Sequence, residues 1–166
     1  AATAVVVGAS PRPAAATMPP PSNPHRPAFP TTESLGRGEF CLAGQLAREG
    51  NIGGALDNYQ TLALDPNLPD ELQDLALLYA IMLRMDGDTP AEDLIAELEP
   101  LTNPAITWRW SALELQALLH IENGDVETGR AMIADLLLEP NLPVSMRRRL
   151  FQWTEIYGVP EDPEQS

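Results

Sequence analysis

From residue 31 onward, apolar positions recur at three- and four-residue intervals, the spacing of helices that each bury one face. The pattern predicts first-helix segments near 33–49, 70–86 and 105–123 and second-helix segments near 52–64, 90–99 and 126–138. A last helix near 144–157 closes the array. Within 70–86, the stripe Leu72, Leu75, Ala76, Tyr79, Ala80 and Leu83 reads as a buried face. The other side carries Leu77, Leu78, Ile81, Met82 and Met85, and a helix apolar nearly all round belongs at the centre of a stack. Thr89-Pro90-Ala91-Glu92 reads as a capping box with Pro at the first helical position. In the closing helix Met146, Leu150, Trp153 and Tyr157 share an inward stripe. Arg147, Arg148 and Gln152 face water there, as the outer side of a terminal repeat requires.

Laid against itself, the chain repeats. Gly50, Gly87 and Gly124 are 37 residues apart, in the triplets Glu49-Gly50-Asn51, Asp86-Gly87-Asp88 and Asn123-Gly124-Asp125. Gly takes the left-handed conformation just past a helix end, and the following Asn or Asp accepts from the orphan amides of the next helix. Seven residues before each Gly stands a small residue, Ala43, Ala80 or Ala117, which lets two helix backbones approach. Pro-Asn-Leu-Pro at 66–69 returns at 140–143, two repeat lengths on, and Pro100 and Pro104 mark the break between them. Three coincidences in phase define a repeat.

Composition adds an arm and a charge. Residues 1–30 hold eight of the 17 prolines, which favour extended, polyproline-like chain, so this segment reads as a linker or docking arm. Residues 31–158 form the repeat domain and 159–166 an acidic tail. Ala1 to Ala9 (AATAVVVGA) reads either as the trailing end of a signal or anchor sequence or as a small-residue tail. Low aromatic content (5%) with abundant Leu and Ala favours helix on helix over strands. The net charge of −14 repels phosphate backbones, so no nucleic-acid partner is expected. No run of 18 apolar residues occurs, and no bilayer-spanning helix is predicted.

The stretch Arg48-Glu49-Gly50-Asn51-Ile52-Gly53-Gly54-Ala55-Leu56-Asp57-Asn58-Tyr59, followed by Asp65-Pro66, resembles the helix turn of a tetratricopeptide repeat. There a Gly precedes a small residue by five and an aromatic by nine, here Ala55 and Tyr59. The longer pattern runs from Pro69 through Arg84-Met85-Asp86-Gly87-Asp88, Leu98-Glu99-Pro100-Leu101 and Trp108-Arg109 to Gly124-Asp125. It resembles the tetratricopeptide-like region of the ancillary SecYEG translocon subunit family in its alphaproteobacterial form, over residues 40–158. The resemblance implies an all-α solenoid of about three helical-hairpin repeats plus a capping helix. It also implies a periplasmic, membrane-anchored, chaperone-like unit associated with a translocon. This chain departs from the family in lacking the membrane helix, in its Pro-rich arm, and in Glu92 standing where the second helix expects a small residue.

Aligning the three Gly frames, the resemblance implies groove positions Arg37, Phe40, Gly44 and Ala47, then Asp74, Leu77, Ile81, Arg84 and Met85, then Ser111, Glu114, Leu118, Ile121 and Glu122. Phe40, Leu77, Ile81, Arg84, Met85 and Leu118 are the expected partner-binding set. The Lys and Asn of carboxylate-clamping repeats are missing from these places. An apolar centre ringed by charge suits a hydrophobic segment, a helix or an extended arm.

Catalytic chemistry is not expected. His25 and His120 are too few for a metal site, so no metal or cofactor is predicted. His120 reads as a partly buried structural residue, and the lone Cys41 as a small buried hydrophobe. No phosphate loop or nucleophile motif occurs. Glu97, Glu99, Asp86 and Asp88 read as solvated helix ends. Arg147, Arg148 and Arg149 splay by about 100° each, so they make no basic face and are expected to meet a helix C-terminus or the tail Glu161-Asp162-Glu164. Two functions remain: a non-enzymatic scaffold gripping translocating clients or a membrane complex from the periplasm, or an accessory structural subunit docked through its arm and repeat surface. A cytoplasmic location is the alternative, and no small-molecule substrate is expected.

Overall fold

The computed structural model describes residues 32–160; the Pro-rich arm, His25 and the acidic tail beyond Pro160 lie outside them, as does the side chain of Arg37. The described residues are all-α, with no strand: α1 (Thr32–Arg48), α2 (Ile52–Ala63), α3 (Asp70–Met85), α4 (Ala91–Leu98), α5 (Arg109–Glu122), α6 (Val126–Leu138) and α7 (Val144–Tyr157). A 3-10 turn, Glu99–Thr102, continues α4.

Local chemistry places the boundaries. Gly50 (φ 80°) and Gly124 (φ 89°) close α1 and α5 in the left-handed region that glycine adopts without a Cβ penalty. Asn51 Oδ1 then accepts from the Gly54 amide (3.1 Å), and Asp125 Oδ1 from the Thr128 amide (3.3 Å). Both Pro-Asn-Leu-Pro segments do one job. Pro69 and Pro143 hold the extended backbone that opens α3 and α7, while Leu68 and Leu142 are buried beneath.

The middle junction differs from expectation. Gly87 keeps a negative φ, and α4 begins four residues after it, whereas α2 and α6 begin two residues after their glycines. Pro90 stands before α4 at the cap position with no side-chain cap bond, so the capping box does not form. Here α5 starts at Arg109 rather than 105. Asn103 turns the chain first, its Oδ1 accepting from the Ala105 amide, and Ile106 and Trp108 are spent as anchors against the core.

Three cores run along the chain, and α3 and α5 each serve two. Ala76 and Ala80 of α3 pack with Ala43, Tyr59, Leu62 and Leu68. Leu78 and Ile81 pack instead with Leu94, Leu98, Leu101 and α5. Ala117 and Ile121 of α5 face Ile133, Leu136, Leu142, Met146 and Leu150. Each fully buried Leu or Ile contributes about 1.5–3 kcal/mol. Small residues set the closest approaches: Ala55 in α2 is fully buried, and Gly129 holds the matching place in α6. The corresponding residue of α4 is Leu94, a larger side chain, and α4 packs mainly on α5 and only sparsely on α3.

Arginines tie the elements. Arg84 grips Glu97 with two bonds (2.6 and 2.9 Å), joining α3 to α4. Arg147 donates to the Leu137 and Glu139 carbonyls at the end of α6, so it is half-buried and does not face water. The outer side of α7 is less polar than expected, since Phe151 and Ile156 are exposed there, with Val159 just beyond.

Candidate functional site

First helices of successive hairpins expose one side each, and together these sides line a trough. Its wider part, about 830 Å³, is bounded by Phe40, Cys41, Gly44, Ala47 and Arg48 of α1, Tyr59 of α2, and Leu72, Leu75, Tyr79, Met82 and Leu83 of α3, with Asp86 just after it. The second part, about 410 Å³, shares Leu75, Tyr79 and Met82 and continues past Trp108, Ser111, Leu115 and Leu118 to Trp153 of α7. The shared residues make the two parts one continuous surface.

Aromatic rings dominate the first part. Tyr59 and Tyr79 stack with centroids 5.1 Å apart, and Phe40 sits 5.9 Å from Tyr59 and 6.5 Å from Tyr79. Burial, with Tyr79 beside it, pushes the Tyr59 hydroxyl pKa up, so it remains a neutral donor. Tyr79 and Met82 remain exposed, at 39% and 47%.

The second part ends in a charge pair set into an apolar wall. Glu114 is buried, and Arg149 donates to both its carboxylate oxygens from Nε and Nη2. Trp153 Nε1 adds a third donor at 3.3 Å. The Glu114 bond holds the Arg149 guanidinium pKa above its usual value, keeping Arg149 charged. Trp108 is fixed by its indole N–H, which donates to the Glu71 carbonyl at 2.7 Å.

Of the expected binding residues, Phe40 and Leu118 line this trough. Ile81 is fully buried in the core between α3, α4 and α5, and Leu77 and Met85 pack against that same core. Arg84 is engaged by Glu97. These four belong to the side of α3 that packs on α4 and α5. Phe40 and Gly44 of α1 line the trough together with Tyr79 and Leu83 of α3 and Glu114 and Leu118 of α5. The apolar stripe Leu72, Leu75, Tyr79 and Leu83, read as a buried face, was the signal for this side of α3; Met82, Trp108 and Trp153 carried none.

Other candidates fall as follows. Cys41 is exposed beside Phe40 on the trough, not buried, because its place in α1 turns it away from the α2 contact made by Ala43. His120 Nδ1 lies 3.2 Å from Asp125 Oδ2 at the α5–α6 junction and is partly buried. Glu97 holds Arg84, and Glu99 accepts from Gln116 Nε2 (3.2 Å), so neither is merely solvated. No group of three or more His, Cys, Asp or Glu suited to a metal occurs among the described residues.

Comparison with protein-family models, with curated proteins and with solved structures finds no match to this chain. The functional reading therefore rests on the trough.

Proposed function

We propose that this chain is a tetratricopeptide-like helical solenoid acting as a non-enzymatic protein-interaction scaffold, chaperone-like or translocon-associated, at a bacterial envelope membrane. The observation that carries the reading is the continuous apolar trough, with Tyr79 and Met82 open to a partner and the half-covered Trp108 and Trp153 along its second part. Aromatic and Met side chains are what adaptable binding faces use, because they offer large contact area with few rotors or a soft, reshaping surface. The Glu114–Arg149 pair gives one end a fixed polar mark that an occupant must satisfy.

A second reading, an accessory subunit of a membrane complex, draws on a different surface. Phe151 and Ile156 on α7, and Val159 just beyond it, stand exposed, and none of the three lines the trough. The two readings separate in one co-purification from membranes. A scaffold for clients captures many unfolded chains weakly and loses them on Tyr79→Asp with Met82→Asp. A subunit copurifies with one complex at fixed ratio and is released by Phe151→Ser with Ile156→Ser. Capture unchanged by either pair contradicts both.

A further inference from the structure

We propose that the trough is a docking site for the Pro-rich segment, residues 1–30, of its own chain. The inference rests on reading the trough as a face for polypeptide, and four observations select this occupant.

The first is the lining. Phe40, Tyr59 and Tyr79 form a contiguous aromatic surface, and Trp108 and Trp153 continue it. Aromatic-lined grooves take polyproline chain, whose prolines present flat apolar faces and whose backbone carbonyls have no internal partners. Arg48 and the Tyr59 hydroxyl both approach Gly44, so donors for such carbonyls stand in the trough. The second is the segment itself: eight prolines within residues 1–30, with Ala28-Phe29 flanked by Pro27 and Pro30 as an apolar anchor.

Charge is the third. The segment carries Arg12, Arg26 and His25, and the first carboxylate of the chain is Glu33. Every one of the 24 acidic residues lies in or beyond α1, so arm and domain have opposite sign. Asp86 on the trough wall gives that attraction a local end point. Reach is the fourth. Phe40 lies eight residues into α1, about 12 Å along its axis. Thirty residues of polyproline chain extend roughly 90 Å, while four helices set 8–10 Å apart span roughly 30 Å. The tether also supplies an effective concentration of order millimolar, so even a weak contact is occupied.

Cys41 reports the state of the trough, since it is the only cysteine, is exposed in the domain and lies on the lining. The experiment measures its reaction rate with an uncharged maleimide on the full chain. Rates are compared with an arm variant, Arg12→Glu with Arg26→Glu and Phe29→Ser, which leaves the helical domain untouched. Docking with about ten covered chains per open one slows the reaction about tenfold relative to the arm variant. That protection is independent of protein concentration.

Equal rates in the two chains overturn the proposal. Protection that grows with protein concentration overturns it too, and makes the arm of a second copy the occupant. Neither result touches the scaffold reading, which is read separately by capture of an unfolded apolar client on the arm variant. If capture fails there while Cys41 protection holds, the scaffold reading fails and the arm remains.

Discussion

Gly129→Ala is the sharpest test of the helix packing. Gly129 lies in the first turn of α6 and faces α5; a Cβ there would stand 2.6 Å from the Ala117 carbonyl oxygen and against the Ile121 side chain. The Ile121 side chain can rotate, but the carbonyl belongs to the α5 backbone, so α6 itself must move outward. Overpacking a close contact costs about 1–3 kcal/mol, and a rigid backbone obstacle puts this case in the upper half. Replacing Gly within a helix returns about 1 kcal/mol of propensity, leaving a net loss of about 1–2 kcal/mol. The control is Gly38→Ala in α1, exposed and with nothing within 4 Å of the new methyl. It gains about 0.5–1 kcal/mol by propensity alone. Far-UV thermal melts read the difference, since 1 kcal/mol moves Tm by about 3–5 °C in a domain of this size. The control rises and Gly129→Ala falls. If both substitutions raise Tm alike, α5 and α6 do not approach through this glycine, and the matching of Gly129 with Ala55 is wrong.

Removing Arg149 (Arg149→Met) strands the buried Glu114 carboxylate; breaking a buried pair costs about 3–5 kcal/mol, and the half-exposed Arg149 reduces this to about 2 kcal/mol in chemical denaturation. Arg148→Met, exposed on the same helix, is the near-silent reference, and equal losses would refute the pairing. For Asp74, burial and then the charges of Asp70 and Glu71 raise the carboxyl pKa above its ordinary value. A raised carboxyl contributes stability that is full below its unfolded pKa and is lost as pH rises through the folded one. Asp74→Asn therefore raises Tm at neutral pH, and the gain vanishes once pH falls below the ordinary aspartate range. A gain that persists at low pH contradicts the electrostatic account.

What the sequence made legible follows from how local the responsible chemistry is. Gly50-Asn51 and Gly124-Asp125 are complete helix stops and starts within a few residues, and both Pro-Asn-Leu-Pro segments open helices as read. Ala43, Ala80 and Ala117 are buried as their common phase requires. Asp86-Gly87-Asp88 looks alike in sequence, yet Pro90 displaces the next helix start by two residues. On a helix, two residues turn the face by about 200°. Leu77 and Tyr79, two residues apart on α3, therefore lie on opposite sides, the first against the core and the second on the trough. Periodicity alone could not resolve it, because α3 is apolar on both sides and buries parts of each in a different core. The ion pairs Arg84–Glu97 and Arg149–Glu114 were invisible for another reason: they join different helices, 13 and 35 residues apart.

The central claim is that the Tyr79–Met82 side of α3 is a binding face while the Leu77–Ile81 side is core. The direct measurement pairs a melting curve with titration of an unfolded apolar client against Tyr79→Asp/Met82→Asp and Leu77→Asp/Ile81→Asp. The first pair retains a cooperative melt, because both side chains are already open to water, and it loses client binding. The second pair unfolds, because it places a charge at the fully buried Ile81, at a cost of several kcal/mol. A folded Tyr79→Asp/Met82→Asp protein that binds clients with undiminished affinity would contradict the trough as the binding face.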